Sequence, residues 1–213
     1  MQVFKFGGAS LKDAAGVKNV ASILQRYQDQ SLVIIVSAMG KTTNALEAVV
    51  AAHAKQNGEA GKLYEAFKEQ HYTLMRELFD ADDEVFTTVN DTLVEGEWVL
   101  EEKPAENYDY MYDQLVCMGE LVSSKIVTAW LNKIGLKTRW LDARDVVATD
   151  NTYREGWVIW DKTKANAQKI VTPMLAEGGF VLTQGFIGST SENFTTTLGR
   201  EGSDYSAAIF SHC

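Results

Sequence analysis

The segment Leu32-Val33-Ile34-Ile35-Val36 constrains the fold of this chain more than any other. A strand with one face in water alternates apolar and polar residues, whereas one that is apolar at every position is buried on both faces. Such a strand belongs to a parallel sheet covered by helices on either side. The run is also far shorter than the ~20 residues of a membrane-crossing helix.

Neighbouring patterns agree with this reading. Val3-Phe4-Lys5-Phe6 reads as a short strand cut off by Gly7-Gly8. Asp13 to Gln28 carries Val17, Val20, Ile23 and Leu24 at helical spacing, and Leu46, Val49, Val50 and Ala54 mark a second amphipathic helix. The order strand, helix, strand, helix predicts an α/β fold, three-layer α/β/α with a mainly parallel sheet. A helical insertion is expected at about 58–134. Its first part, Gly58 to Glu102, is expected to cap one edge of the sheet, and Leu115 to Leu131 reads as one central helix. Lys137–Leu141 and Phe180–Gln184 read as further strands, with a helix over Asp161–Ala176 between them. Ser203 is placed to cap a helix beginning at Asp204.

Lys and Arg number 20 against 29 Asp and Glu, a net charge of −9 over 213 residues. This balance disfavours a nucleic-acid backbone as the main partner. A small polyanion is still accessible to an acidic chain where its few cations converge. Cys117 and Cys213 have neither metal-ligand spacing nor a disulfide framework, which fits a reducing cytoplasm. The N-terminus has neither the basic stretch nor the apolar core of a secretory signal, so a soluble, cytoplasmic protein with no membrane partner is expected.

Four segments carry chemistry. Lys5-Phe6-Gly7-Gly8-Ala9-Ser10 delivers a lysine into a diglycine turn, setting a cation beside unshielded backbone N–H groups, a combination suited to phosphate oxygens. A plain strand-to-helix turn with a solvated lysine is the alternative. Ser37-Ala38-Met39-Gly40-Lys41-Thr42-Thr43-Asn44 places small hydroxyls after a buried strand, where open α/β sheets bind ligands; helix capping by Thr42 or Thr43 is equally compatible. It is not a P-loop, because the glycine required five positions before Gly40 is Ile35. Glu120 lies on the most apolar helix, on a face with Val116, Ser123, Val127 and Leu131, and needs a cationic or hydrogen-bonding partner. A structural ion pair and a ligand ammonium both satisfy that need. Arg200 and Asp204 flank a glycine turn at a helix N-terminus, suited either to a carboxylate or phosphate ligand or to a local Arg–Asp pair. His53, His71 and His212 share no motif with a serine or cysteine and are read as packing or surface residues.

Together and in this order, KFGGAS at 5–10, VSAMGKTTNAL at 36–46, MGE at 118–120 and QGFIGSTSENFTTTLGREGSDYSAA at 184–208 resemble the aspartate kinases of the amino acid kinase family. Ala9, where threonine is common, and Glu201, in the variable position of the arginine turn, are the departures. The resemblance implies phosphorylation of L-aspartate by ATP with Mg²⁺ to give 4-phospho-L-aspartate, the first step in making the aspartate-family amino acids lysine, threonine and methionine. By resemblance, Lys5 and Asp204 are catalytic, Asp204 orienting Lys5 or the attacking end of the substrate, and Lys5, Phe6, Gly7 and Gly8 bind the nucleotide phosphates. Ser37, Thr43, Glu120, Phe186, Arg200 and Ser203 bind substrate, Glu120 through its ammonium and Arg200 through its α-carboxylate. No protein metal ligand is implied, and a homo-oligomer is expected for the full-length protein.

Members of this family continue into an adenine- and ribose-binding segment and ACT-type regulatory domains, neither of which residues 1–213 match. The chain is therefore expected to be the N-terminal, aspartate-binding part of the domain, with the C-terminal nucleotide lobe absent, no ACT domain and little activity alone. Two alternatives share some of these features: another amino acid kinase, and a non-catalytic amino-acid-binding or interaction module.

Overall fold

A computed structural model describes residues 2–213. Strands β1 (Gln2–Phe6), β2 (Leu32–Val36), β3 (Thr138–Leu141) and β4 (Phe180–Gln184) form a sheet in the order β1-β2-β4-β3, with every neighbouring pair parallel. A hairpin of β5 (Ile187–Ser189) and β6 (Thr195–Thr197) stands apart from it. The helices are α1 (Ala14–Gln25), α2 (Thr42–Ala54), α3 (Ala60–Leu78), α4 (Val85–Glu101), α5 (Tyr108–Val116), α6 (Met118–Lys133), α7 (Trp160–Ala176) and α8 (Gly202–His212).

All of β2 is buried. Because successive side chains point to opposite faces, Leu32, Ile34 and Val36 join an apolar cluster with α1 to α6, while Val33 and Ile35 join a second with α7 and α8. This produces the three layers. Register aligns the carboxyl ends of three strands, pairing Phe6 with Val36 and Val36 with Gln184. The loops that follow β1, β2 and β4 consequently emerge side by side, and backbone bonds from Ser37 to Phe6 and from Gly185 to Val36 hold them together at 3.1 and 2.8 Å.

The insertion differs from expectation in two ways. Helices α3 and α4 pack chiefly on α2 and α6 rather than capping a sheet edge. Their apolar stripes, including Tyr64, Phe67, Val89 and Leu93, are matched by the helical layer already covering the sheet. The Leu115–Leu131 run is also divided at Cys117 into α5 and α6. Cys117 keeps right-handed helical dihedrals, but its N–H bond to the Asp113 carbonyl is stretched to 3.4 Å, and its thiol donates to the neighbouring Gln114 carbonyl at 3.2 Å. The chain keeps its helical course across this weakened turn. Among the described residues no helix is long and apolar enough to cross a membrane.

Ile34 is fully buried at the centre of the sheet. Truncation to alanine removes packing on the face that carries six helices, and Ile34→Ala is expected to destabilise the fold by about 2–5 kcal/mol in urea unfolding. A loss below about 1 kcal/mol is inconsistent with a close-packed central strand.

Candidate active site

A cleft of about 810 Å³ opens where the loops after β1, β2 and β4 emerge, the usual ligand position in an open α/β sheet. Its walls include Gly8, Ser37 and Phe186 from those loops, Thr43 from α2, Glu120 from α6, and Arg200 and Ser203 from the turn entering α8. Thus seven of the residues singled out from sequence, drawn from four distant segments, meet in one cavity. Lys5 and Asp204 stand beside it as an ion pair of 3.0 Å. The Arg200–Asp204 alternative does not form: Asp204 pairs with Lys5 across the fold. The Phe6 side chain packs against the core, so only its backbone is available to a ligand.

Local structure explains how each group is presented. Gly8 crosses so close to the loop after β2 that a Cβ there would lie 2.5 Å from the Ala38 carbonyl oxygen. A Cβ on Gly7 would come within 3.4 Å of the Lys5 ammonium. The loop after β1 thus runs directly against the loop after β2, with the lysine head beside it. The Thr42 hydroxyl donates to the Met39 carbonyl at 2.6 Å, and no side chain caps α2, so the capping alternative fails and Thr43 is left facing the cleft. Helix α8 likewise begins at Gly202 rather than Asp204. Its N-cap is Glu201 in the left-handed region (φ 57°), so Ser203 is no cap. Its hydroxyl instead accepts a 2.9 Å bond from Ser37 Oγ, joining the loop after β2 to the arginine turn.

Glu120 is 3% exposed. Its Oε1 accepts a long 3.3 Å bond from the Ala38 N–H, and its Oε2 is buried with no partner. The structural ion pair considered from sequence is therefore not made. Burial pushes its carboxyl up to about 8, only partly offset by the Ala38 N–H. A group so poorly satisfied costs stability unless a ligand compensates it.

The sequence reading missed one whole wall. Tyr112 of α5 donates to Glu47 Oε1 of α2 at 2.8 Å, and the Arg154 guanidinium lies 4.3 Å from the Tyr112 ring centroid and 3.3 Å from Asp109 Oδ1. Glu47 follows Thr43 by one helical turn and was legible as sharing its face. Arg154 had no such signal, because it lies in an irregular loop. Arg154, Phe186 and Glu201, all lining the cleft, hold positive φ values of 68°, 71° and 57° without being glycine. Strained backbone of this kind gathers at functional sites. None of the three histidines lines the cleft, and among the described residues no group of three or more His, Cys, Asp or Glu is placed to hold a metal ion.

The raised carboxyl of Glu120 has a definite consequence for stability. A folded-state value of about 8, above the ordinary carboxylate value, means that the native protein holds a proton which the unfolded chain releases. The contribution of Glu120 to the stability of the ligand-free protein therefore falls as pH rises toward 8. Asp113, pushed by burial to about 6, adds to the decline at the acid end of the range, while His53 and His71, lowered by burial, oppose it there. Thermal melts between pH 6.5 and 8 should therefore show the wild type losing stability relative to Glu120→Gln. An unchanged slope in the variant contradicts the assignment.

The model of the amino acid kinase family matches residues 1–213. Aspartokinase 1, chloroplastic, of Arabidopsis thaliana is 33% identical over 215 residues, covering 96% of this chain and 37% of that protein. Lysine-sensitive aspartokinase 3 of Escherichia coli is 32% identical, covering 97% and 45%. The crystal structure of E. coli aspartokinase III in complex with aspartate and ADP superposes with a TM-score of 0.89 at 28% identity, over 99% of this chain and 46% of that one. The chain thus spans less than half the length of these relatives. A family match along its whole length, on the fold and cleft just described, establishes that the chain belongs to the amino acid kinase family.

Proposed function

We propose that residues 1–213 form the aspartate-binding part of an aspartate kinase, which moves the γ-phosphoryl group of ATP to the side-chain carboxylate of L-aspartate, yielding 4-phospho-L-aspartate and ADP. The observation that carries this reading is the unpartnered Glu120 oxygen in the same cleft as Arg200. An α-amino acid presents an ammonium and a carboxylate at one end, and these two groups complement that pair. The similar E. coli enzyme, whose structure holds aspartate and ADP, supports the choice of ligand.

The reaction asks little acid–base chemistry of the protein. The attacking carboxylate has an ordinary pKa near ~3.9 and is ionised at neutral pH. The barrier is electrostatic, since an anion must approach a polyanion, and positioning with charge neutralisation lowers it. The cradle fits a phosphate group: Lys5 lies against bare backbone at Gly7, and Asp204 holds its ammonium there. In this reading Lys5 neutralises phosphate charge, and Gly7 and Gly8 admit phosphate oxygens to the backbone. Mg²⁺, bound largely through phosphate oxygens and water, supplies further neutralisation when the nucleotide binds. Arg200 takes the α-carboxylate, Glu120 the ammonium, and Ser37, Thr43 and Ser203 the remaining polar edge, with Phe186 walling the pocket.

Calorimetry tests the assignment directly. L-Aspartate should bind, and Arg200→Ala should weaken it by about 10- to 100-fold, the usual worth of a charge-assisted contact. Equal binding of unrelated amino acids favours a general binding module, and preference for glutamate or acetylglutamate favours a different kinase of the family. At pH 7 Glu120 is largely protonated, so pairing with the substrate ammonium should release a proton. Binding enthalpies measured in buffers of different ionisation heat should reveal that proton in the wild type. Its absence argues against Glu120 as the ammonium acceptor.

A further inference from the structure

Asp113 is fully buried and sits in α5, outside every motif recognised in the sequence. It has no salt-bridge partner among the described residues. Its Oδ2 accepts from the backbone N–H groups of both Arg154 and Thr197, each at 2.9 Å, and its Oδ1 accepts from the Thr197 hydroxyl at 2.7 Å. One carboxylate therefore fastens a helix to a strand and to a loop. The next residue reinforces the strand attachment: the Gln114 amide donates to the Thr195 carbonyl at 2.9 Å and accepts from the Thr195 N–H at 3.1 Å. Strand β6 is thus paired with β5 on one edge and with α5 side chains on the other.

What hangs from these attachments is the site itself. Three residues beyond Thr197 is Arg200, after a turn through Gly199 at φ 74°. Leu198 is tied to the Phe186 carbonyl at 2.8 Å and bridges to Glu155, while Gly156 donates to the Thr197 carbonyl at 2.8 Å. In the other direction, α5 continues through Cys117 into α6, which carries Glu120 in its first turn. The Leu121 N–H bond to the Cys117 carbonyl, 3.1 Å, keeps the two helices mechanically continuous.

We propose that Asp113 is a positioning residue which sets where the ammonium seat at Glu120 and the carboxylate seat at Arg200 stand relative to the third wall of the cleft at Ser37 and Thr43, which takes the side chain, and so the stereoselectivity for the amino acid. The proposal rests on the aspartate reading above. D-Aspartate can place its ammonium and α-carboxylate on the same two seats, but its side chain then points away from that third wall, so discrimination between the enantiomers depends on the two seats being held in fixed relation to it.

L- and D-aspartate are titrated calorimetrically into the wild-type protein, Asp113→Ala and Asp113→Asn. Alanine leaves the Thr197 and Arg154 N–H groups, the first of them buried, without this acceptor and should reduce L-aspartate affinity by about tenfold or more while moving the L:D affinity ratio toward one. Asparagine can keep both N–H bonds through its oxygen and donate to a rotated Thr197 hydroxyl, so affinity should return to within about threefold with the preference restored. If the alanine variant does not fold, Thr197→Val deletes a single hydroxyl donor and should lower the L:D ratio by a smaller factor, about threefold. A folded Asp113→Ala or Thr197→Val protein with unaltered L:D preference overturns the proposal, whatever its melting temperature. A wild-type protein that binds neither enantiomer overturns the aspartate reading, and this role with it.

Discussion

Burial of β2 on both faces is the constraint from which the remaining architecture follows. Its five side chains alternate between two apolar clusters, so helices must lie on either side. Parallel pairing to β1 and β4 then aligns three carboxyl ends. Three loops emerge together, and Gly8 and Gly185 let them pack closely, since a Cβ would lie 2.5 Å from the Ala38 carbonyl oxygen at the first and closer still to the Ser203 Cβ at the second. The cleft is a consequence of strand order and register, completed by the helical insertion and the arginine turn.

Around this rigid base the cleft departs from what stability alone favours. Glu120 is buried without adequate partners, and three non-glycine residues of the wall hold left-handed backbone. The strand leading into the arginine turn is fastened by side chains of α5, and the turn itself is tied to the loops after β2 and β4 through Ser37–Ser203 and Leu198–Phe186. The poorly satisfied Glu120 and the left-handed backbone cost free energy in the empty protein and fit a site organised for a charged ligand. The Lys5–Asp204 pair is different in kind. Asp204 is 65% exposed, so the pair adds little to stability and serves to hold an ammonium beside bare backbone.

The legible features had short-range signals. An unbroken apolar run reports burial on both faces, and helical periodicity reports the stripe that packs. Lys5-Phe6-Gly7-Gly8, Ser37 to Thr43, Gly119-Glu120 and the Arg200 turn are contiguous motifs, so their composition alone drew notice. Capping, an alternative at Thr42 and Thr43 and the expectation at Ser203, is not made, because a hydroxyl beside a helix start has several partners within reach: the local Met39 carbonyl takes Thr42, and Ser37 from across the fold takes Ser203. The edge-capping role expected for Gly58–Glu102 failed because an amphipathic stripe shows that a helix packs, but not on what.

The sequence by itself determined the α/β class, the doubly buried strand and the motifs that line the cleft, since each depends on residues close together along the chain. Only the tertiary structure decided that Lys5 pairs with Asp204 and not Arg200 with Asp204, that one Glu120 oxygen lacks a partner, and that Tyr112 and Arg154 complete the wall. It also decided that Asp113 holds both Arg154 and Thr197. These are contacts between segments tens to nearly two hundred residues apart, formed by which backbone donors and charges the fold brings within 3 to 4 Å, and no local pattern encodes that proximity.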